Sequence, residues 1–94
     1  MYIVSLSYFR PVEEVETLLE PHIQWLDRYF AAGVFIAAGR KEPRTGGIVL
    51  VKDIDRARLD TILAGDPFVA VANYEVTKLN VTRAAAEFAA LVGI

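Results

Sequence analysis

The chain opens on an alternating pattern. From Tyr2 to Phe9, Ile3, Ser5 and Ser7 alternate with Val4, Leu6 and Tyr8, the two-residue period of a strand with unlike faces. From Pro11 the period becomes helical. Val15, Leu19, His22, Leu26, Tyr29 and Gly33 fall on one narrow face at about 100° per residue. Pro11 suits a first helical turn. Glu13, Glu14 and Glu16 complement the positive helix start, and Gly33 supplies a C-terminal cap. Pro21 interrupts this pattern, since an interior proline removes a backbone bond and costs about 3 kcal/mol. The sequence predicts a kink there, or a break at Glu20 with Pro21 restarting a second helix. Either places His22 in a distorted turn.

Two further strands are predicted over Val34–Arg40 and Gly46–Lys52. The segment Lys41-Glu42-Pro43-Arg44-Thr45 joins them; its turn formers and charges put it on the surface. Asp55 is a good N-cap for a second helical unit, and Ile54 and Leu59 hold the positions of a hydrophobic staple. Leu59, Ile62 and Leu63 face inward and Gly65 ends the helix. A fourth strand spans Val71–Leu79. Thr82 is placed to cap a tail helix whose short apolar stripe is Phe88, Leu91 and Val92.

The order β-α-β-β-α-β is the ferredoxin-like split pattern, an α+β fold with an antiparallel sheet. Right-handed crossovers put both helical units on one sheet face. A single domain is expected over residues 1–94, with its core in residues 1–80 and the extra C-terminal helix over 82–93. The strands carry apolar side chains on the other face too. A second copy of the chain covers that face most simply, which predicts a two-fold homodimer.

Composition sharpens this picture. Hydrophobic residues make up 54% of the 94 residues, high for a small domain, and surplus apolar surface usually ends in an interface. No apolar run is long enough to span a bilayer. The formal net charge is −2 with Lys and Arg scattered, which argues against nucleic acid or an anionic membrane as partner. The absence of cysteine excludes thiol catalysis, disulfides and cysteine-based zinc sites. A lone histidine does not make a typical zinc site, so no metal is expected. Gly46-Gly47 belongs to no phosphate-binding motif. Ser5 and Ser7 sit in no nucleophile elbow. No cofactor is expected. The first residues read directly as a strand rather than a leader, so a cytoplasmic location is expected.

His22 is the one side chain whose ordinary pKa lies near neutrality. On an apolar face it reads either as a core histidine with one partner or as a general acid–base. Asp66-Pro67-Phe68 is the second informative segment. Pro67 holds Asp66 toward an extended conformation, at the junction of the second helix and fourth strand. The carboxylate reads either as an Asx turn with Phe68 as anchor, or as the acceptor that orients His22. Arg40, at a strand end, is a solvated arginine or an anion contact. Trp25 and Phe68 are the aromatic candidates for substrate contact. Trp25 lies beside the apolar stripe and reads as interface or core rather than as a cofactor shelf.

The ordered set His22-x-x-Trp25-Leu26, Gly33, Ala37-Ala38-Gly39-Arg40, Gly46-Gly47 and Asp66-Pro67-Phe68 resembles the YciI-like (YCII) family over residues 1 to 80. The resemblance implies a dimeric α+β barrel with a pocket containing a histidine–aspartate pair, here His22 and Asp66. Some members of that family are linked to lyase-type chemistry on hydroxylated aromatic compounds. Two positions depart from the pattern: Ala38 stands where many relatives carry serine, and Arg40 where many carry proline. Both flank the expected pocket, so no relative's substrate carries over.

The leading expectation is a small dimeric enzyme of lyase or isomerase type acting by proton transfer. His22 would be the acid–base, Asp66 its orienter and Arg40 an anion contact, with a small anionic or phenolic ligand. Two rivals stand. One is a non-catalytic metabolite-binding module. The other is an accessory protein docking a partner through the C-terminal helix, which requires Phe88, Leu91 and Val92 to be exposed.

Overall fold

A computed structural model describes residues 1–94. Strands β1 (Tyr2–Tyr8), β2 (Phe35–Arg40), β3 (Gly46–Val51) and β4 (Ala72–Lys78) form one antiparallel sheet in the order β2-β3-β1-β4. Helices α1 (Val12–Thr17), α2 (Leu19–Ala31) and α3 (Arg56–Ala64) connect them. This is the expected α+β, ferredoxin-like arrangement. No helix is long and apolar enough to cross a membrane.

The period-two pattern sets the sheet's faces. Tyr2, Val4 and Leu6 of β1 are buried, as are Val49 and Val51 of β3 beside them. They meet Val15 of α1, Trp25 of α2, and Leu59, Ile62 and Leu63 of α3 in one core. On the opposite face Ile3 pairs with Leu50 and Ser5 with Ile48, and these side chains are only half-buried. The staple positions are occupied as expected: Ile54 packs on the core that contains Leu59.

The helical region breaks earlier than proline alone suggests. The chain leaves the α conformation at Leu18, and α2 restarts at Leu19. Pro21 therefore lies in the first turn of α2, where a backbone N–H has no intrahelical partner to lose. His22 is the next residue, and its N–H donates to Leu18 O at 3.1 Å. The break also rotates the buried face. His22 and Trp25 are the buried residues of α2, whereas Leu19, Leu26 and Tyr29 of the predicted stripe are half-buried.

Three local expectations need correction. Asp55 occupies the N-cap position of α3, but its side chain makes no capping hydrogen bond. β4 starts at Ala72, because Pro67–Ala70 form a 3-10 turn ahead of it. The tail is helical only over Ala86–Leu91, as 3-10 turns broken at Phe88, and Ala85 rather than Thr82 precedes it. Thr82 has no helical turn after it to cap. Phe88 and Val92 are exposed, whereas Leu91 is half-buried against the neighbourhood of Met1, Ile3 and Leu50.

Candidate active site

A break, a proline turn and a strand converge on one carboxylate. The side chain of Asp66 caps the 3-10 turn, its Oδ1 accepting from the N–H of Phe68 at 3.0 Å. The same Oδ1 accepts from His22 Nδ1 at 2.7 Å. Oδ2 accepts from the hydroxyl of Tyr74 on β4 at 2.5 Å. The two sequence readings of Asp66 therefore hold together: the Asx turn is what aims the carboxylate at the imidazole. Asp66 is 2% exposed. A buried carboxylate is costly unless hydrogen-bonded, and three donors compensate for the water it has lost.

This arrangement dictates the tautomer. An ionised carboxylate only accepts, so Nδ1 must carry the proton. In the neutral ring the lone pair then lies on Nε2, which has no protein partner. His22 lines a cavity of about 220 Å³ between α2 and the inner face of β2 and β3. Phe68 holds the ring in place. The two rings are parallel within 3° at a centroid separation of 3.7 Å. Trp25 backs the imidazole at 5.6 Å.

Tyr74 completes the group and escaped sequence analysis. Burial first, then the hydrogen bond and charge of Asp66, push its hydroxyl well above the ordinary value. It stays protonated and donating. One signal could have found it. Strand alternation puts Tyr74 on the same face as Ala72 and Val76, and its register places it opposite Leu6.

Of the expected substrate contacts, Arg40 and Phe68 line the cavity and Trp25 does not. The indole is used in the core, its Nε1 donating to Ile62 O at 3.0 Å. Ala38 also lines the cavity, beside Arg40. Arg40 is exposed and forms no ion pair within the chain.

Arg44 is the other residue that sequence analysis missed. Its loop was expected at the surface, yet the side chain folds back to line the cavity. Nη1 donates to Glu16 at 2.5 Å, and this bond holds the guanidinium pKa above its ordinary value. Nε and Nη2 are buried with no hydrogen-bond partner.

The glycine pair is explained mainly by the sheet. A Cβ on Gly46 would stand 1.8 Å from Leu6 O, and one on Gly47 would stand 2.9 Å from Gly39 O. Close strand approach requires glycine at both positions.

The family described as the YCII-related domain matches residues 1–81, nearly the whole chain. The chain belongs to that family. The match ends just before the tail, so the sheet, the His22–Asp66 pair and the cavity all lie inside the YCII-related region. Among curated proteins no match is found.

Proposed function

We propose that this YCII-related chain is a small-molecule enzyme of lyase or isomerase type that works by proton transfer. His22 is the general acid–base, through Nε2. Asp66 orients the ring and stabilises the imidazolium that forms when Nε2 takes a proton. Phe68 sets the plane of the imidazole, and Arg40 meets an anionic or phenolic group at the cavity mouth. The reading is carried by one observation: the 2.7 Å contact from Nδ1 to Asp66 commits one ring nitrogen and leaves the other free at a cavity.

A homodimer is part of this proposal. The outer sheet face presents Ile3, Ile48 and Leu50 half-buried, with the tail near Ile3 and Leu50, and a second copy would cover the rest of that face.

The test is a screen of small phenols and carboxylates in deuterated water. Proton NMR follows exchange at carbon or elimination. Wild type should turn over at least one compound, and His22→Ala should lose about 10²- to 10⁴-fold in rate, the usual contribution of a positioned acid–base group. Equal rates for the two proteins would defeat the reading. Binding without turnover would favour the metabolite-binding module. The docking alternative draws on the exposure of Phe88 and Val92, but Leu91, the third residue of its stripe, is half-buried.

A further inference from the structure

The cavity's charge is unbalanced. Among the residues lining it are one histidine and two arginines, Arg40 and Arg44, and no carboxylate. The rest is largely apolar, including Leu26, Val49 and Phe68. Arg44 carries the more telling feature. Its Nη1 is taken by Glu16, while Nε and Nη2 are shut off from water with no partner in good hydrogen-bond geometry. The Tyr8 phenol lies close enough that its charge and a weak hydrogen bond favour the guanidinium, but it does not meet hydrogen-bond geometry with Nε or Nη2. Buried polar groups without partners are rare in native proteins, and a buried charged donor is the costliest kind.

These two nitrogens are not an arbitrary pair. Nε–H and Nη2–H form the side-on edge of the guanidinium and point in parallel. That edge matches the two oxygens of a carboxylate. The protein uses this geometry elsewhere: Arg10 Nε and Nη2 donate to the two oxygens of Glu14 at 2.7 and 3.0 Å. At Arg44 the same edge is left without an acid.

We infer that Arg44 is the carboxylate-binding residue of the cavity, and that the site takes a small carboxylate with a flat apolar body. Binding turns the Nε/Nη2 edge, closed to solvent in the free chain, toward the cavity; the carboxylate then sits on that edge, the apolar body lies against Leu26, Val49 and Phe68, and the remaining end faces Nε2 of His22. Glu16 holds the guanidinium in position without occupying that edge. Size agrees: an apolar cavity of about 150 Å³ accommodates benzene, and this one is about 220 Å³. The inference rests on the proton-transfer reading for what happens at His22, but the binding step stands on Arg44.

The experiment titrates the full chain with benzoate, benzamide and phenol, following backbone amide shifts by NMR. Benzoate should bind in the millimolar range or tighter, shifting Gly39, Gly47 and Phe68, whereas benzamide and phenol bind at least about tenfold more weakly. Arg44→Gln should cost benzoate about tenfold or more, the worth of a charge-assisted pair. Arg44→Lys keeps the charge without the edge and should also bind more weakly than wild type. Thermal melts establish that both variants fold, and if Arg44→Gln does not, Arg44→Lys carries the comparison. Three results overturn the inference: no benzoate binding, equal binding of benzoate and its neutral analogues, or wild-type affinity in Arg44→Lys. His22→Gln should retain benzoate binding. Its full turnover in the exchange assay would defeat the proton-transfer reading alone.

Discussion

The imidazole of His22 lies flat on the ring of Phe68, 3.7 Å centroid to centroid, and both are tied to Asp66 Oδ1, one through its side chain and one through its backbone N–H. One carboxylate oxygen thus places the imidazole and the surface it rests on. The tilt of the ring and the proton on Nδ1 depend on the same few atoms, so the site should respond as a unit.

Asp66→Ala should be strongly destabilising. It strands three donors at once: His22 Nδ1–H, the Phe68 N–H and the Tyr74 hydroxyl. Each unsatisfied buried group costs about 1–3 kcal/mol, so urea denaturation should register a loss of about 3 kcal/mol or more. A loss below about 1 kcal/mol would mean that water replaces the carboxylate at little cost.

Asp66→Asn tests orientation separately from packing. The amide can still cap the 3-10 turn through its oxygen but carries no charge. In wild type, nitrogen-15 NMR of the neutral His22 ring should report the proton on Nδ1. In Asp66→Asn that preference should weaken, and any turnover should fall with it. An unchanged tautomer in the variant would remove Asp66 from the proposed role.

Tyr74 makes a prediction at alkaline pH. Its hydroxyl is raised in the folded protein by burial and then by Asp66. Above about pH 10 the unfolded chain releases the tyrosine proton while the folded chain retains it. The folded state then binds more protons, so stability is fully present below that pH and falls as pH rises. Tyr74→Phe should abolish this part of the alkaline loss while weakening the protein at neutral pH. Parallel pH–stability curves for the two proteins would contradict it.

Gly46→Ala should fold poorly. The new Cβ would stand 1.8 Å from Leu6 O, a backbone atom. The two strands would have to move apart, since no side chain can yield. Overpacking of this kind costs about 1–3 kcal/mol and occasionally more. Gly39→Ala, with nothing within 4 Å of its added Cβ, is the control. Equal melting temperatures for the two variants would refute the argument.

The proposed dimer predicts a particle of twice the chain mass by light scattering at micromolar concentration. Leu50→Glu places a charge on the outer sheet face and should shift the protein toward monomer, since an unpaired charge in an apolar interface is costly. A monodisperse wild-type monomer would end this part of the proposal.

The architecture was legible in the chain because periodicity is a local property. Alternation at Ile3 to Tyr8 and the inward set Leu59, Ile62 and Leu63 mark buried faces before any contact forms, and these faces leave few ways to stack a sheet and helices. His22 and Asp66 were legible for another reason: a lone imidazole on an apolar face must find a partner, and Pro67 restricts where a carboxylate can point. Tyr74 and Arg44 carried no such mark. A tyrosine in a strand and an arginine in a charged loop look like ordinary inner-face and surface residues. Their roles depend on contacts across the fold, from β4 to the 3-10 turn and from the β2–β3 loop to Glu16 on α1. Trp25 shows the same limit in reverse. Its spacing left core and interface both open, and the choice fell to a single backbone acceptor, Ile62 O, brought within 3.0 Å when α3 packs beside α2. Local pattern decides which faces are buried; which polar atoms meet inside is decided by long-range packing, because a hydrogen bond depends on angstroms that periodicity does not encode.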